Sequence, residues 1–465
     1  MVGGHLAAGE AVANSLFEFR VLAVLRREAV LPDPGRESQH GEARPNSSHS
    51  EREWGPGDII LDMPPSLSRR GLLRTSGQAA AAWTALSYSR VLGANDKVNL
   101  GLIGAGERGR HVMSLFQKSP TVQVTAVCDV YAQMIDKAKG QAPGAQGFGD
   151  HRKLLETKDL DVVLIGTPDH WHATTAKDAL NAGKDVYVEK PLTLRIEEGP
   201  EIVKAARVNN RICQVGLQQR SGAHYIKAKQ EYIDTGTLGT ITLVRTWWHG
   251  NGYHLRKAPE YLQTLPSNLD WARFLGPVRW RDWDPQQFWN WRAYLDFGGG
   301  QVTDLFTHWI DVVHMFLGRD IPTSAVAAGG VYFAKDGRTA PDTINVLLEY
   351  GDDYTVTFEA TLAPGIQGYG VEFCGTKGKL MINRERYEYR PVGRNSAPVE
   401  EKGPGYDFTL DHVKNFLECV QSRKLPNCDV QTGHRSAQAS HLGNIAYVQK
   451  RRLRFDPARE EILPL

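Results

Sequence analysis

Gly104-Ala105-Gly106-Glu107-Arg108-Gly109 stands where a short apolar run ends and an amphipathic one begins, and few patterns restrict a fold so strongly. The first glycine permits a tight turn, the second lets backbone approach a pyrophosphate, and the third allows a helix to pack closely on a strand. Phosphates then meet the unpaired amides at the helix N-terminus. Around this motif the chain alternates strand-like stretches (Val98–Ile103, Val122–Cys128, Val162–Ile165, 186–188 and 212–215) with helix-like ones (109–117, 171–181 and 196–209). Such alternation implies a parallel sheet covered on both faces. Asp129 closes the strand that follows the motif. A carboxylate there accepts hydrogen bonds from the adenosine ribose and repels a 2′-phosphate, which favours NAD over NADP. Arg108, near the same loop, leaves NADP open. The plainer alternative is a glycine turn in a nucleotide-free α/β domain, with Asp129 as a helix cap.

After about residue 218 the character changes. Longer β-branched segments appear at 241–247, 325–333, 344–349, 354–360 and 369–373, and their alternation suits an antiparallel sheet with one covered face. One strong helix is expected over 302–316, ended by Gly318, and further helices over 407–419 and after Gly433. The division into 96–217 and 218–465 follows from this change of pattern.

Charge and cysteine usage exclude several classes. Lys and Arg number 55 against 53 Asp and Glu, a net +2, too balanced for a nucleic-acid or anionic-membrane binder. No apolar run approaches the roughly 20 residues of a membrane span. Five scattered cysteines without a CxxC argue against a disulfide framework or a zinc site, and no metal is expected. Residues 1–62 are rich in Pro, Gly, Ser and His over 31–57, a composition that predicts disorder. Next, over 63–95, Ser68-Arg69-Arg70-Gly71-Leu72-Leu73-Arg74 and a modestly apolar run containing Trp83 resemble a bacterial twin-arginine export signal. The resemblance implies periplasmic or otherwise exported protein that leaves the cytoplasm folded, with its cofactor tightly bound. On that view Met63 is the true start and residues 1–62 are an over-extended reading of the gene; a real cytoplasmic prefix is the rival.

Two segments carry chemistry beyond the dinucleotide motif. Glu189-Lys190-Pro191 follows the strand at 186–188, at the carboxyl edge where parallel sheets bind ligands. Pro191 restricts the backbone of Lys190 and so limits where its ammonium points; by itself, a lysine at a strand end is usually just exposed. Further on, Gly298, Gly299 and Gly300 precede a helix that carries Asp304 and His308. Four residues apart, the two share a helix face, with Asp311 one turn on. The glycines would let backbone crowd close to a ligand. The bland reading of this stripe is a solvated face with His308 paired to Asp304.

The glycine motif, Thr167-Pro168 with His172, Glu189-Lys190-Pro191, and the glycine-led helix with Asp304 and His308 together resemble the glucose–fructose oxidoreductase, inositol dehydrogenase and MocA (Gfo/Idh/MocA) family. The resemblance runs from about Val98 to the C-terminus. It implies an α/β fold: a Rossmann domain, then an α/β domain whose open, mostly antiparallel sheet often mediates homo-oligomers. It also implies that Thr167, Pro168, His172 and Glu189 border the cofactor, and that Lys190 and His308 act at a substrate hydroxyl with Asp304 as companion. His308 is then the expected general base, Lys190 the group that stabilises the developing oxyanion, and Asp304 the residue that sets the histidine's tautomer.

On the substrate side, eight of the eleven tryptophans lie between Trp247 and Trp309. They suit stacking on sugar rings, although a local aromatic core would account for some of them. Trp289, Trp291 and Arg292 are the expected substrate contacts, with Arg220 after the last Rossmann strand; Gln218, Gln219 and His224 are placed to face the nicotinamide, and His249, Tyr253 and His254 are weaker candidates. The expected activity is hydride transfer between NAD(P) and a sugar, polyol or glycoside hydroxyl carbon. The alternatives are an NAD-dependent glycosidase that oxidises transiently, and a non-catalytic sensor of dinucleotide and sugar.

Overall fold

In the computed structural model, which describes residues 97–365, 368–393 and 396–464, the first half forms a six-stranded parallel sheet. Its strands are β1 (Val98–Ile103), β2 (Val122–Cys128), β3 (Gln146–Phe148), β4 (Val162–Ile165), β5 (Asp185–Val188) and β6 (Cys213–Val215). They lie in the order β3-β2-β1-β4-β5-β6, and every pairing is parallel. All residues of β4 and β5 are buried, as expected of strands with helices on both faces. The order reverses between β1 and β4, which opens a crevice at their carboxyl ends. The helix after β1 begins at Glu107, with Gly106 as its N-cap, so the glycine motif caps the helix directly. The helix Ala132–Gln141, which buries only Ala138, lacks the apolar stripe that would have revealed it in the sequence. The expectations that fall on residues 1–96, including the export segment, lie outside the described residues.

The second sheet has ten strands: β7 (Ile241–His249), β8 (Ser324–Gly330), β9 (Thr343–Tyr350), β10 (Tyr354–Thr361), β11 (Tyr369–Gly375), β12 (Gly378–Ile382), β13 (Arg386–Pro391), β14 (Val399–Lys402), β15 (Leu453–Asp456) and β16 (Glu461–Ile462). Their order is β14-β13-β12-β11-β7-β10-β9-β8-β15-β16. All pairings are antiparallel except β7 with β10. β10 alternates buried and half-buried residues, so one face of the sheet is covered and the other is not.

The covering helix departs from a single α-helix. It opens as a π turn over Val302–Phe306, continues as α over Thr307–Leu317, and stops at Gly318 in the left-handed region. Phe306 stacks on Phe358 with centroids 4.7 Å apart, and Phe316 on Phe373 at 5.0 Å. This packing holds the helix on the sheet and aims Asp304 and His308 toward the first domain. The last two helices, Thr409–Ser422 and Val430–Gln449, return to that domain. Phe416 packs with Phe116 and Tyr187. Along the final helix, Val430 and Ala437 join the core of the parallel sheet, while Ala439 and Leu442 join that of the second sheet. Residues after 218 therefore build part of the first domain's core. Among the described residues, no helix is long and apolar enough to cross a membrane.

Candidate active site

A cleft of about 680 Å³ lies at the carboxyl end of the parallel sheet. On one side is the glycine loop. The amide of Gly104 donates to the Cys128 carbonyl at 2.9 Å. Its φ is +86°, and a Cβ there would lie 2.5 Å from the Thr167 nitrogen. A Cβ on Gly109 would stand 2.0 Å from the Gly104 carbonyl oxygen, so both positions admit glycine alone. Gly106 is different. A Cβ there would meet nothing within 4 Å, yet the residue lines the cleft. The chain keeps open the place where a pyrophosphate approaches backbone. Thr167 Oγ1, on the facing loop, is buried without a hydrogen-bond partner. Asp129 accepts from the amides of Ala105 at 2.8 Å and Tyr131 at 2.9 Å. It therefore braces the glycine loop, and its remaining lone pairs are available to ribose hydroxyls. Burial pushes its carboxyl up to about 6, against the pull of the Tyr131 and Ala105 amides. These features fit a bound dinucleotide.

Arg108 donates from Nε to Glu189 Oε1 at 2.9 Å. Glu189 follows β5, and Asp129 follows β2, three strands away in the sheet. That commitment draws Arg108 away from the ribose end and from a 2′-phosphate. Pro168 stands as N-cap of the helix Asp169–Asn181 and lines the cleft. His172, expected to border the cofactor, lines the cleft. Nδ1 lies 2.6 Å from the Pro191 carbonyl and Nε2 2.9 Å from the Thr167 carbonyl. Burial holds the ring below its usual pKa, and a neutral imidazole has a single N–H, so it donates to one of these two carbonyls.

Lys190, before a cis peptide bond to Pro191, places Nζ 2.5 Å from Asp304 Oδ1 and 2.8 Å from the carbonyl oxygen of the same residue. The other oxygen, Oδ2, lies 2.8 Å from His254 Nε2, and Arg292 Nε is 3.3 Å from Oδ1. Burial alone would raise the Asp304 carboxyl, but Lys190, Arg292 and His254 hold it well below the usual carboxylate range. Asp304 is thus an ionised hub for two cleft side chains, Lys190 and Arg292, and for the buried His254. It does not set the tautomer of His308, which corrects the sequence expectation. The π turn and the pull of Lys190 and His254 take it elsewhere. The partner of His308 is Gln219, whose Oε1 lies 3.0 Å from Nδ1. Burial, then Arg384 and Lys190, hold the His308 imidazole well below its usual pKa. With Nδ1–H donating to Gln219, the lone pair sits on Nε2, which has no partner among the described residues.

The structure brings Trp289, Trp291 and Arg292 to the cleft wall. They form part of an alternating stack. The Arg256 guanidinium lies 4.7 Å from the ring centroids of both Trp289 and Tyr253, and Arg292 lies 5.0 Å from Tyr253 and 4.1 Å from Trp291. Arg292 therefore supports the wall and Asp304 more than it offers a free charge. Other tryptophans serve a local core: Trp271 is buried against Phe274 and meets Trp283 edge-on at 5.0 Å. Arg220 is misplaced by the sequence reading. It is locked to the fully buried Asp311 by a bifurcated hydrogen bond from Nε, at 2.8 and 2.9 Å from the two carboxylate oxygens, and is not among the residues that line the cleft. The glycines at 298–300 admit the chain itself; a Cβ at Gly298 would stand 3.0 Å from the Trp291 ring and 3.2 Å from Asp169 Oδ2. His224 donates to the Asn383 carbonyl and is not among the residues that line the cleft.

Sequence reasoning missed Asp169. It begins the helix after β4, is 4% exposed and lines the cleft. Burial raises its carboxyl to about 7, with Asp304 adding and Lys190 and Arg292 opposing. The signal was present, since an acidic residue directly follows Thr167-Pro168 at a strand end.

Comparison with known proteins agrees with this geometry. Residues 98–217 match the oxidoreductase family, NAD-binding Rossmann fold, and residues 275–381 match the GFO/IDH/MocA C-terminal domain. The uncharacterized oxidoreductase YrbE of Bacillus subtilis is 25% identical over 360 residues, 74% of this chain and 92% of that protein. Inositol 2-dehydrogenase of Salmonella typhimurium is 34% identical over 184 residues, 38% of this chain and 53%, about half, of that enzyme. The fold is shared with a solved structure of levoglucosan dehydrogenase in complex with NADH and levoglucosan, at TM-score 0.63 and 17% identity, over 77% of this chain and 99% of that one. The first domain is an NAD-binding Rossmann domain, and the chain belongs to the Gfo/Idh/MocA family of oxidoreductases.

Proposed function

We propose that this protein oxidises or reduces a hydroxyl-bearing carbon of a sugar, polyol or glycoside. The observation that carries this reading is the convergence of the Lys190 ammonium and the unpartnered Nε2 of His308 on one cleft floor, beside the glycine loop. When bound, NAD supplies a hydride acceptor. A substrate hydroxyl between the two side chains gives its proton to His308 Nε2 as its carbon gives up hydride, leaving a carbonyl. Lys190 donates a hydrogen bond to the oxygen throughout, and Asp304 holds that ammonium in place. The names of two relatives, inositol 2-dehydrogenase and levoglucosan dehydrogenase, support a polyol or sugar substrate.

The test is to add sugars, polyols and aryl glycosides to the purified protein with NAD and follow the near-ultraviolet absorbance of reduced nicotinamide. A lasting rise that vanishes in His308→Ala, while NAD still binds, is the expected result. Aglycone release without a lasting rise would replace this reading with a hydride-recycling glycosidase. Neither signal from NAD-loaded protein would leave a sensor.

The proposal extends to location and assembly. The twin-arginine stretch over 68–74 supports export, and Arg69→Lys with Arg70→Lys should retain the protein in the cytoplasm. The uncovered face of the ten-stranded sheet, with Leu243, Val326 and Leu347 on it, supports a homo-oligomer.

A further inference from the structure

We infer that Arg384 is an anion-recognition residue, and that the substrate of this cleft carries a carboxylate: a uronic or aldonic acid, or a glycoside of one. The inference deepens the proposed function and rests on its reading of the cleft as a site for hydroxylated, sugar-like compounds.

Arg384 lies in the tight turn between β12 and β13, far in sequence from every motif that marks the site. The turn is rigidly built. Asn383 Oδ1 accepts from the amides of Glu385 at 2.9 Å and Arg386 at 3.0 Å, the amide of Asn383 donates to the Arg386 carbonyl at 2.9 Å, and His224 Nε2 donates to the Asn383 carbonyl at 2.9 Å. Residue 384 is thereby fixed at the cleft, in the lining that also contains Lys190 and His308. Its guanidinium lies 5.2 Å from the ring centroid of Trp248, another lining residue, which itself stacks on Tyr369 at 4.8 Å. This cation–π contact restricts the freedom of the guanidinium.

What sets Arg384 apart is the lack of a partner. Arg108, Arg256 and Arg292 each hold a carboxylate, from Glu189, Glu107 and Asp304, and Arg110 donates to the Ala105 carbonyl. Arg384 has no hydrogen bond or ion pair through its side chain among the described residues, and its Nε is buried without a partner. The adjacent Glu385 is engaged by the Tyr369 hydroxyl. A partly buried cation left in this state is costly unless a ligand answers it. The same charge is felt at His308, where it helps keep the imidazole neutral, so the recognised anion lies near the reacting carbon. A planar guanidinium fork without a protein partner suits a planar carboxylate. It is less suited to a phosphate, which is usually gripped by several donors at once.

The test compares matched compounds on the NAD-loaded protein: glucuronate with glucose, galacturonate with galactose, gluconate with glucitol, and glucose 6-phosphate as a second anion. At least one acid should exceed its neutral partner in kcat/KM. Arg384→Met, which keeps an apolar stem over Trp248, should cut the acid-to-neutral ratio by roughly tenfold to a hundredfold, the range of a charge-assisted hydrogen bond. Arg384→Lys should retain part of the ratio, and raised salt should lower it in the wild type. Equal use of acids and neutral sugars, or a ratio that Arg384→Met leaves unchanged, overturns the inference. An Arg384-dependent preference for the phosphate overturns the carboxylate assignment. If no compound is turned over, the proposed function fails, and equilibrium binding read by tryptophan fluorescence decides the inference separately. Arg384-dependent binding of an acid supports it, and no binding of any acid removes it.

Discussion

His308 meets Gln219, not Asp304: Nδ1 lies 3.0 Å from the Gln219 amide oxygen, although 89 residues separate the two in the chain. The amide fixes which nitrogen of the ring carries the proton, and so leaves Nε2 free to act as a base. Gln219→Leu should therefore lower kcat by about tenfold or more while NAD affinity stays within a factor of two or so. Gln219→Glu places a carboxylate beside the ring, which favours imidazolium and raises the His308 pKa. The acidic limb of the kcat–pH profile should then move to higher pH. A pH profile unmoved by Gln219→Glu would show that the contact is structural only.

The three glycines of the loop should separate into two behaviours. Gly109→Ala forces a Cβ to 2.0 Å from the Gly104 carbonyl oxygen and should lower the melting temperature even without cofactor. Gly106→Ala meets no protein atom within 4 Å, so its melting temperature without cofactor should stay within a degree or two. Its NAD affinity should fall, because the methyl occupies the approach of the pyrophosphate. Melting curves with and without NAD check both. A Gly106→Ala protein that binds NAD normally would place the pyrophosphate elsewhere.

Asp169 should govern a titration near neutrality. Its folded carboxyl sits at about 7 against an ordinary 3.8, so the folded state holds the proton more tightly than the unfolded chain. The linked stability is full below about pH 3.8 and is lost as pH rises through about 7. Asp169→Asn should flatten that part of the stability curve, measured by urea unfolding from pH 5 to 8 or so. It should also remove an inflection near neutrality from kcat, since ionisation of Asp169 adds a negative charge in the field of Lys190 and Arg292. Identical curves for wild type and Asp169→Asn would mean the proton is held by another group.

These cases show which parts of the molecule were legible in the chain. The glycine loop and Lys190 were readable because their meaning is local: a turn, a strand end and a helix start lie within a few residues. The α/β alternation was readable for the same reason. The pairing of Asp304 with His308 looked local too, yet the π turn over Val302–Phe306 and the arrival of Lys190 and His254 redirected the carboxylate. Arg220 and Arg384 were misread or missed because their meaning depends on partners. Arg220 finds Asp311 at a distance of 91 residues, while Arg384 finds none. Periodicity contains no record of either fact. Both follow only when the second sheet and its covering helix close over the cleft.

Arg220 and Asp311 supply the last prediction. Asp311 is fully buried, accepts a bifurcated hydrogen bond from Arg220 Nε, with Oδ1 at 2.8 and Oδ2 at 2.9 Å, and another from Ser436 Oγ at 2.8 Å. The pair joins the turn after β6 to the helix Thr307–Leu317 and the helix Val430–Gln449, so it ties together the elements that hold Gln219 and His308. Removing one partner leaves a desolvated charge uncompensated, a loss of about 3–5 kcal/mol in comparable buried pairs. Asp311→Ala and Arg220→Ala should each cost stability on that scale. The double variant Arg220→Met with Asp311→Leu should recover much of it, because no charge is then left unpaired. Substrate KM in whatever folded Arg220→Ala survives should change far less than the unfolding midpoint in urea. A large rise in KM with unchanged stability would return Arg220 to the role of a substrate contact.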